Sequence, residues 1–307
     1  MVTASSRQGK FWRLGEMLWT VWRYRKWADF VLIDTYSTWN FWYAVAVAAL
    51  CRRLGLRYIP ILHGGELPER RRRSPRASEA LFVGAYVNVA PSKFLILNSE
   101  FRIRNLKFIP NSITLENYAF RARRNVSPKI LWVRAFQDIY DPLKALKTLQ
   151  QLLLKYPGAE VCMVGPRKDA SLEVCREYAR QHGLPVTFAG KLGQGEWTAL
   201  AQGYDLFLNT SEVDNAPVTL IEAMALGLPI VSTRVGGLPY LLTHEENGLL
   251  VPSGTPEDLS AALERLLEDP ALAERLSQAG REKAEGFDWQ VVRHRWAGVL
   301  GDSGPVA

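Results

Sequence analysis

Cysteine is scarce in this chain. Three occur in 307 residues, Cys51, Cys162 and Cys175, too few for a paired framework and without metal-ligand spacing, which points to a reducing compartment. No Asp-x-Asp metal motif is present. Residues 1–9 are polar and precede no apolar core, so no secretory signal is expected. The longest apolar stretch, residues 39–51, is interrupted by Asn40 and is too short to span a bilayer. No helix-turn-helix, RNA-recognition or zinc pattern argues for nucleic acid, and internal repeats are absent. Acids are thin in the first part: residues 1–125 carry 21 Lys/Arg against 8 Asp/Glu, while the remainder carries 17 against 23. A basic half joined to an acidic half predicts that the first half meets something anionic; nucleic acid, a phospholipid surface and a phosphorylated substrate all qualify by charge, and the missing motifs disfavour nucleic acid.

What is present is an α/β pattern with enough apolar content, 48%, for a sizeable core. Residues 30–34 and 57–62 read as strands around an Ala-rich helix over 41–54, and two shorter strands follow near 86–92 and 107–112. From residue 129 onward strands alternate with helices, which predicts a parallel, doubly wound domain. Residues 119–128 are polar and basic and read as a linker. Residues 10–26 read as an amphipathic helix. Phe11, Leu14, Gly15, Leu18 and Trp22 share one face, Trp12 and Trp19 widen it, and Arg13, Arg23, Arg25 and Lys26 surround it. Two readings stand: a helix packed on the core, or an interfacial helix with tryptophans at headgroup level and cations toward anionic lipid. The run from Glu69 to Arg73, with Arg76, reads as a solvated loop that adds to a basic docking surface.

The chain is organised around residues 209–237. A strand ends at Asn209, turn residues follow, and Pro217 opens a helix whose apolar face is Leu220, Ile221, Met224 and Ala225. Gly227 and Pro229 stop it, and a β-branched strand runs to Gly236–Gly237. Asp214 precedes this helix and Glu222 lies on it. The helix N-terminus suits a phosphate or a polarised hydroxyl, and Glu222 can accept from a diol such as ribose. Equally, Asp214 can be a plain cap and Glu222 a solvated helix residue. His63-Gly64-Gly65 ends a strand where open α/β sheets bind ligands; the alternative is a turn histidine bonded to backbone. Arg134 ends another strand, with a planar fork suited to a diphosphate or to a surface ion pair.

The wording of residues 214–225, then Gly227-Leu-Pro229-Ile-Val-Ser, Gly236-Gly237 and Asn247-Gly248-Leu-Leu-Val-Pro252, resembles the E-x₇-E region of family 4 retaining glycosyltransferases (group 1), which have GT-B architecture. The resemblance covers roughly residues 85–300. It implies two Rossmann-like domains facing a cleft: a reduced acceptor-side domain, 1–125, rejoined by a returning helix, 288–307, and a nucleotide-sugar-binding domain, 126–287. It further implies that a hexose passes with retained configuration, without a metal or other cofactor, from a nucleotide diphosphate sugar to a glycan or lipid-linked acceptor, in cell-surface polysaccharide synthesis. His63, Asp214 and Glu222 become the catalytic candidates. Gly64, Gly65, Arg134, Gly165, Lys191, Leu192, Asn215, Ala216 and Val218 become the donor-binding ones. The expected location is cytoplasmic, with peripheral contact on the anionic inner face of the membrane. Three departures are visible. The first acid is Asp214 rather than Glu. The phosphate-binding Lys five residues after Arg134 is replaced by Ile139, with Lys144 further on. No Gly-rich loop precedes Phe30. These keep a second reading open, a catalytically decayed scaffold of the same fold that holds a partner. Sugar-nucleotide epimerisation fits residues 209–218 less well.

Overall fold

The computed structural model describes residues 2–4, 9–97, 103, 105–252 and 254–301. It divides into two compact units, the first made of residues up to Pro110 and from His294 onward, the second of Asn111–Arg293. The divisions lie at 110 and 293 rather than at 125 and 287, and residues 302–307 of the expected returning segment fall outside the described residues.

In the first unit four strands, β1 (Phe30–Thr35), β2 (Arg57–Leu62), β3 (Asn88–Ala90) and β4 (Leu106–Phe108), form a parallel sheet in the order β1-β2-β3-β4. Period-two alternation is clear on β1: Ile33 and Thr35 are buried, while Leu32 and Asp34 are exposed. The helix Asn40–Arg53 covers the sheet with Phe41, Ala44, Val47, Ala48 and Cys51 against Ile33, Tyr58 and Leu62. The arginine run is a helix, Leu67–Arg73, not a loop. Pro68 opens it, and Glu69 meets Arg72 and Arg73 three and four residues on, which offsets repulsion among the arginines.

The helix Lys10–Tyr24 forms as expected, but its broad aromatic face does not pack. It is buried at Val21, with Met17 and Leu18 against the same core, while Phe11, Trp12, Trp19 and Trp22 stand exposed. A lone helix lying on one neighbour buries a narrow strip, so the rest of its apolar girth stays outside.

The second unit holds six strands: β5 (Lys129–Val133), β6 (Glu160–Val164), β7 (Val186–Gly190), β8 (Leu206–Asn209), β9 (Ile230–Thr233) and β10 (Leu249–Val251). All pair in parallel, in the order β10-β9-β8-β5-β6-β7. The central strands feed two separate cores by alternation. Ile130, Trp132, Val161 and Met163 enter one; Leu131, Val133, Cys162 and Val164 enter the other. Such two-sided burial requires near-continuous apolar strands and helices on both faces. Local signals agree with the outcome at Pro256–Glu268, where Thr255 caps Asp258 N at 3.2 Å.

Residues 119–128 are not a free linker. Arg123 is fully buried, and its guanidinium donates to the carbonyls of Arg121, Leu226, Ala201 and Tyr204. Burial lowers its pKa to about 10, assisted by nearby Arg121. Leu226 closes the helix Val218–Ala225, so this arginine satisfies a helix C-terminus that would otherwise lack partners.

Candidate active site

The second sheet grows outward in both directions from β5. The chain passes from β5 to β6 on one side and returns to β8 on the other, so the strand order reverses between β5 and β8. Loops leaving neighbouring strands at such a point diverge and open a crevice at their C-terminal ends. Arg134 directly follows β5, and the loop carrying Asp214 follows β8.

These two loops meet through charge. Arg134 Nη2 donates to Asp214 Oδ2, with both side chains largely buried. Asp214 also accepts from Ser211 Oγ at 3.1 Å and from Asn215 N at 2.9 Å. The Arg134 guanidinium lies 4.9 Å from the Tyr140 ring centroid. Its buried Nε finds no partner among the described residues, nor does the buried Thr219 hydroxyl in the first turn of the adjoining helix. Unpaired buried donors are costly, and both are groups an anion can satisfy.

Glycine spacing makes the loop possible. Gly237 N donates to Asp214 O at 3.0 Å. A Cβ at Gly236 or Gly237 would collide with the Asp214 or Asn215 carbonyl, so no larger residue lets the two turns approach this closely. Gly165 is similarly pressed against the backbone of Arg134, while its N–H donates to Gly190 O at 2.8 Å.

The helix Val218–Ala225 begins one residue later than expected, with the extended Pro217 as its cap. Glu222 is buried on it, not solvated. Tyr118 donates to Glu222 Oε1 at 2.6 Å, and Gln194 donates to the same tyrosine oxygen. Burial raises the Glu222 pKa, opposed by the Tyr118 hydrogen bond and the charge of Arg134. Burial and Glu222 together push the Tyr118 phenol upward. Asn215 is buried, Ala216 O accepts from Asn111 Nδ2 at 2.7 Å, and Val218 is partly exposed. Lys191 is exposed beside half-buried Leu192, in the loop after β7. Lys144 does not sit free as a second phosphate ligand. It is paired with Asp141 and Glu212; burial pulls its pKa down, but the hydrogen bonds to Glu212 and Asp141 outweigh this and raise it.

In the first unit His63 follows β2. Its Nε2 lies 2.8 Å from Asp34 Oδ1, and Tyr36 stacks on the ring at 5.3 Å. Gly64 lies against Ser37, where a Cβ would come within 2.9 Å of Ser37 N; Gly65 follows in the same turn. The hydrogen bond to His63 holds the Asp34 carboxyl below its usual value.

Tyr118, Gln194, Asp34 and Tyr36 are not legible in the sequence as site residues, because each lies far along the chain from the group it touches. A cavity of about 210 Å³ opens beside Asp138, Asp141, Leu143, Ser171 and Val174. Its carboxylates disfavour a diphosphate, and Arg134, Asp214 and Glu222 do not line it.

Residues 118–283 match the family model of the group 1 glycosyl transferases. Among curated relatives, the sulfoquinovosyl transferase SQD2 of Arabidopsis thaliana is 30% identical over 154 residues, 48% of this chain and 29% of that protein. Glycogen synthase of Mycobacterium tuberculosis is 27% identical over 198 residues, 62% of this chain and 47% of the relative. The chain thus spans less than half the length of either. Among solved structures, sucrose-phosphate synthase from Thermosynechococcus elongatus aligns with a TM-score of 0.79 at 21% identity, over 97% of this chain and 80% of that one. Anabaena HepE in complex with UDP and glucose aligns at 0.80 and 18%, over 98% and 85%. At these identities the likeness shows the fold, an α/β protein of GT-B type.

Proposed function

Because the chain belongs to the group 1 glycosyl transferases, we propose that it is a retaining, family 4 hexosyltransferase using a nucleotide diphosphate sugar, with a glycan or lipid-linked acceptor, in cell-surface polysaccharide synthesis. The observation that carries this reading is the junction of Arg134 with Asp214 at the strand-order reversal, beside the N-terminus of the helix Val218–Ala225. Arg134 exchanges its carboxylate partner for the donor diphosphate, using the fork whose Nε is unpaired. It then neutralises the charge that develops as the diphosphate leaves, together with the N–H groups of the helix start. Asp214, released, accepts a sugar hydroxyl. Glu222, pre-oriented by Tyr118, accepts the ribose hydroxyls, and Gly165, Lys191 and Leu192 border the base. Attack on the same face, with the donor phosphate as base, retains the configuration and asks for no metal.

One observation favours a second reading, a scaffold with a decayed donor site: Ile139 replaces the usual lysine, and Lys144 is held by two carboxylates. Calorimetric titration of the chain with UDP, GDP and ADP separates the two. Saturable binding of one nucleotide supports the transferase, with UDP first because the HepE structure holds it. Absence of binding to a folded sample moves the assignment to the scaffold. For a binding-competent protein, the anomeric proton of the product decides retention.

A further inference from the structure

The aromatic side chains of the N-terminal helix face the wrong way for a core. Six of the ten tryptophans fall within the first 42 residues, at positions 12, 19, 22, 27, 39 and 42, and all six are exposed. On the helix Lys10–Tyr24, Phe11 is 87% exposed, Trp12 76%, Trp19 52% and Trp22 50%. At 3.6 residues per turn, positions 11, 15, 19 and 22 fall on one side, turned away from the buried Val21. A water-facing helix with four large aromatic rings is outside the ordinary scatter of single exposed apolar residues.

Cations are interleaved with these rings. Arg23 lies 4.9 Å from the Trp19 ring centroid, Arg25 4.2 Å from that of Trp22, and Lys10 5.7 Å from that of Trp39. Residues 10–28 contain Lys10, Arg13, Arg23, Arg25 and Lys26 against a single acid, Glu16. The patch continues onto the next helices. Tyr43 donates to Lys10 O at 3.1 Å, tying the helix start to the Trp39–Trp42 turn. Arg70, at the head of the arginine run, donates to Ser37 O at 2.6 Å on the other side of that turn.

We propose that this face docks on an anionic lipid bilayer, with the indole rings at headgroup depth and the guanidinium and ammonium groups on lipid phosphates. Indoles are suited to the interface because each ring has an apolar body and a polar N–H edge. The interleaved cations match negative headgroups, and no single-sign excess of this kind suits a second copy of the same basic face. The contact is peripheral, since no helix among the described residues is long and apolar enough to cross a membrane. This inference is independent of the donor site and is read without any nucleotide.

The test is co-sedimentation of the whole chain with vesicles of phosphatidylcholine alone and of phosphatidylcholine mixed equally with phosphatidylglycerol. Expected is binding to the mixed vesicles that weakens at high salt. Replacing Trp19 and Trp22 together by Ala should lower partitioning about tenfold or more. Arg23→Gln and Arg25→Gln should each lower it about fivefold. Both sets lie on the surface, and near-ultraviolet dichroism checks that they fold. No vesicle binding by a folded sample, equal binding to neutral and anionic vesicles, or binding untouched by these variants would overturn the proposal. So would self-association that the tryptophan variant abolishes, which would assign the face to a second copy.

Discussion

The two sheets are alike strand by strand and differ in how they grow. The first adds strands in one direction only, β1-β2-β3-β4; the second grows both ways from β5. Right-handed crossovers place successive helices on one face while growth continues in one direction, and shift them to the other face when it reverses. The second sheet therefore has two cores, and the loops that leave β5 and β8 at the reversal meet through the largely buried pair Arg134–Asp214. The first has no such reversal among the described residues. Its polar pair, His63 with Asp34, stands at the end of edge strand β1 in partial solvent. The same βα grammar thus makes a buried site in one unit and an open strand end in the other.

This contrast is breakable. Arg134→Ala leaves Asp214 buried without its partner, and losing one side of a buried pair costs about 3–5 kcal/mol. Denaturant unfolding of the second unit should show this, and nucleotide binding should disappear with it. Retained stability would mean that the pair is more solvated than its burial implies. Glu222→Gln sharpens the point in the opposite direction. The folded pKa of Glu222 is raised above the ordinary carboxylate value, so the folded chain holds its proton more tightly than the unfolded one. Charging it as pH rises through the folded pKa costs stability. The neutral variant should therefore melt higher at pH 7, while binding nucleotide about tenfold to hundredfold more weakly through lost charge-assisted hydrogen bonds. A lower melting temperature would refute the burial penalty. Asp34→Asn should have the smallest effect, about 1 kcal/mol or less, because the Asp34 side chain is exposed. The Asp34 pKa is lowered, so its contribution is present above the unfolded value near 3.8 and is lost as pH falls through the folded one. Wild type and variant should converge in acid unfolding below that value; a difference persisting there would show that the carboxylate acts other than by charge.

Much of the site's frame is legible in the amino-acid sequence. The apolar runs of β5, β6 and β8 locate themselves by composition, and Pro, Gly and acid positions mark the turns that follow. Other features arise only in the folded chain. Residues 119–128 look polar and loose, yet Arg123 is swallowed because four carbonyls converge on it. Residues 69–73 look too charged for order, yet Glu69 lets them coil. The aromatic face of the first helix is visible as a stripe, but period alone cannot tell the packed side of a helix from a sticky exposed one.

By itself the sequence determined the α/β alternation, the parallel doubly wound second unit, and the spacing that sets Asp214 before a helix and Glu222 on it. Those depend on neighbours within a few residues, where periodicity and turn chemistry act. Only the tertiary structure decided that Arg134 holds Asp214 from 80 residues away, that Tyr118 orients Glu222 across 104, and that six tryptophans stay outside. Such pairings exist only after the strands order themselves in the sheet, because strand order and burial decide which distant charges share a low-dielectric site.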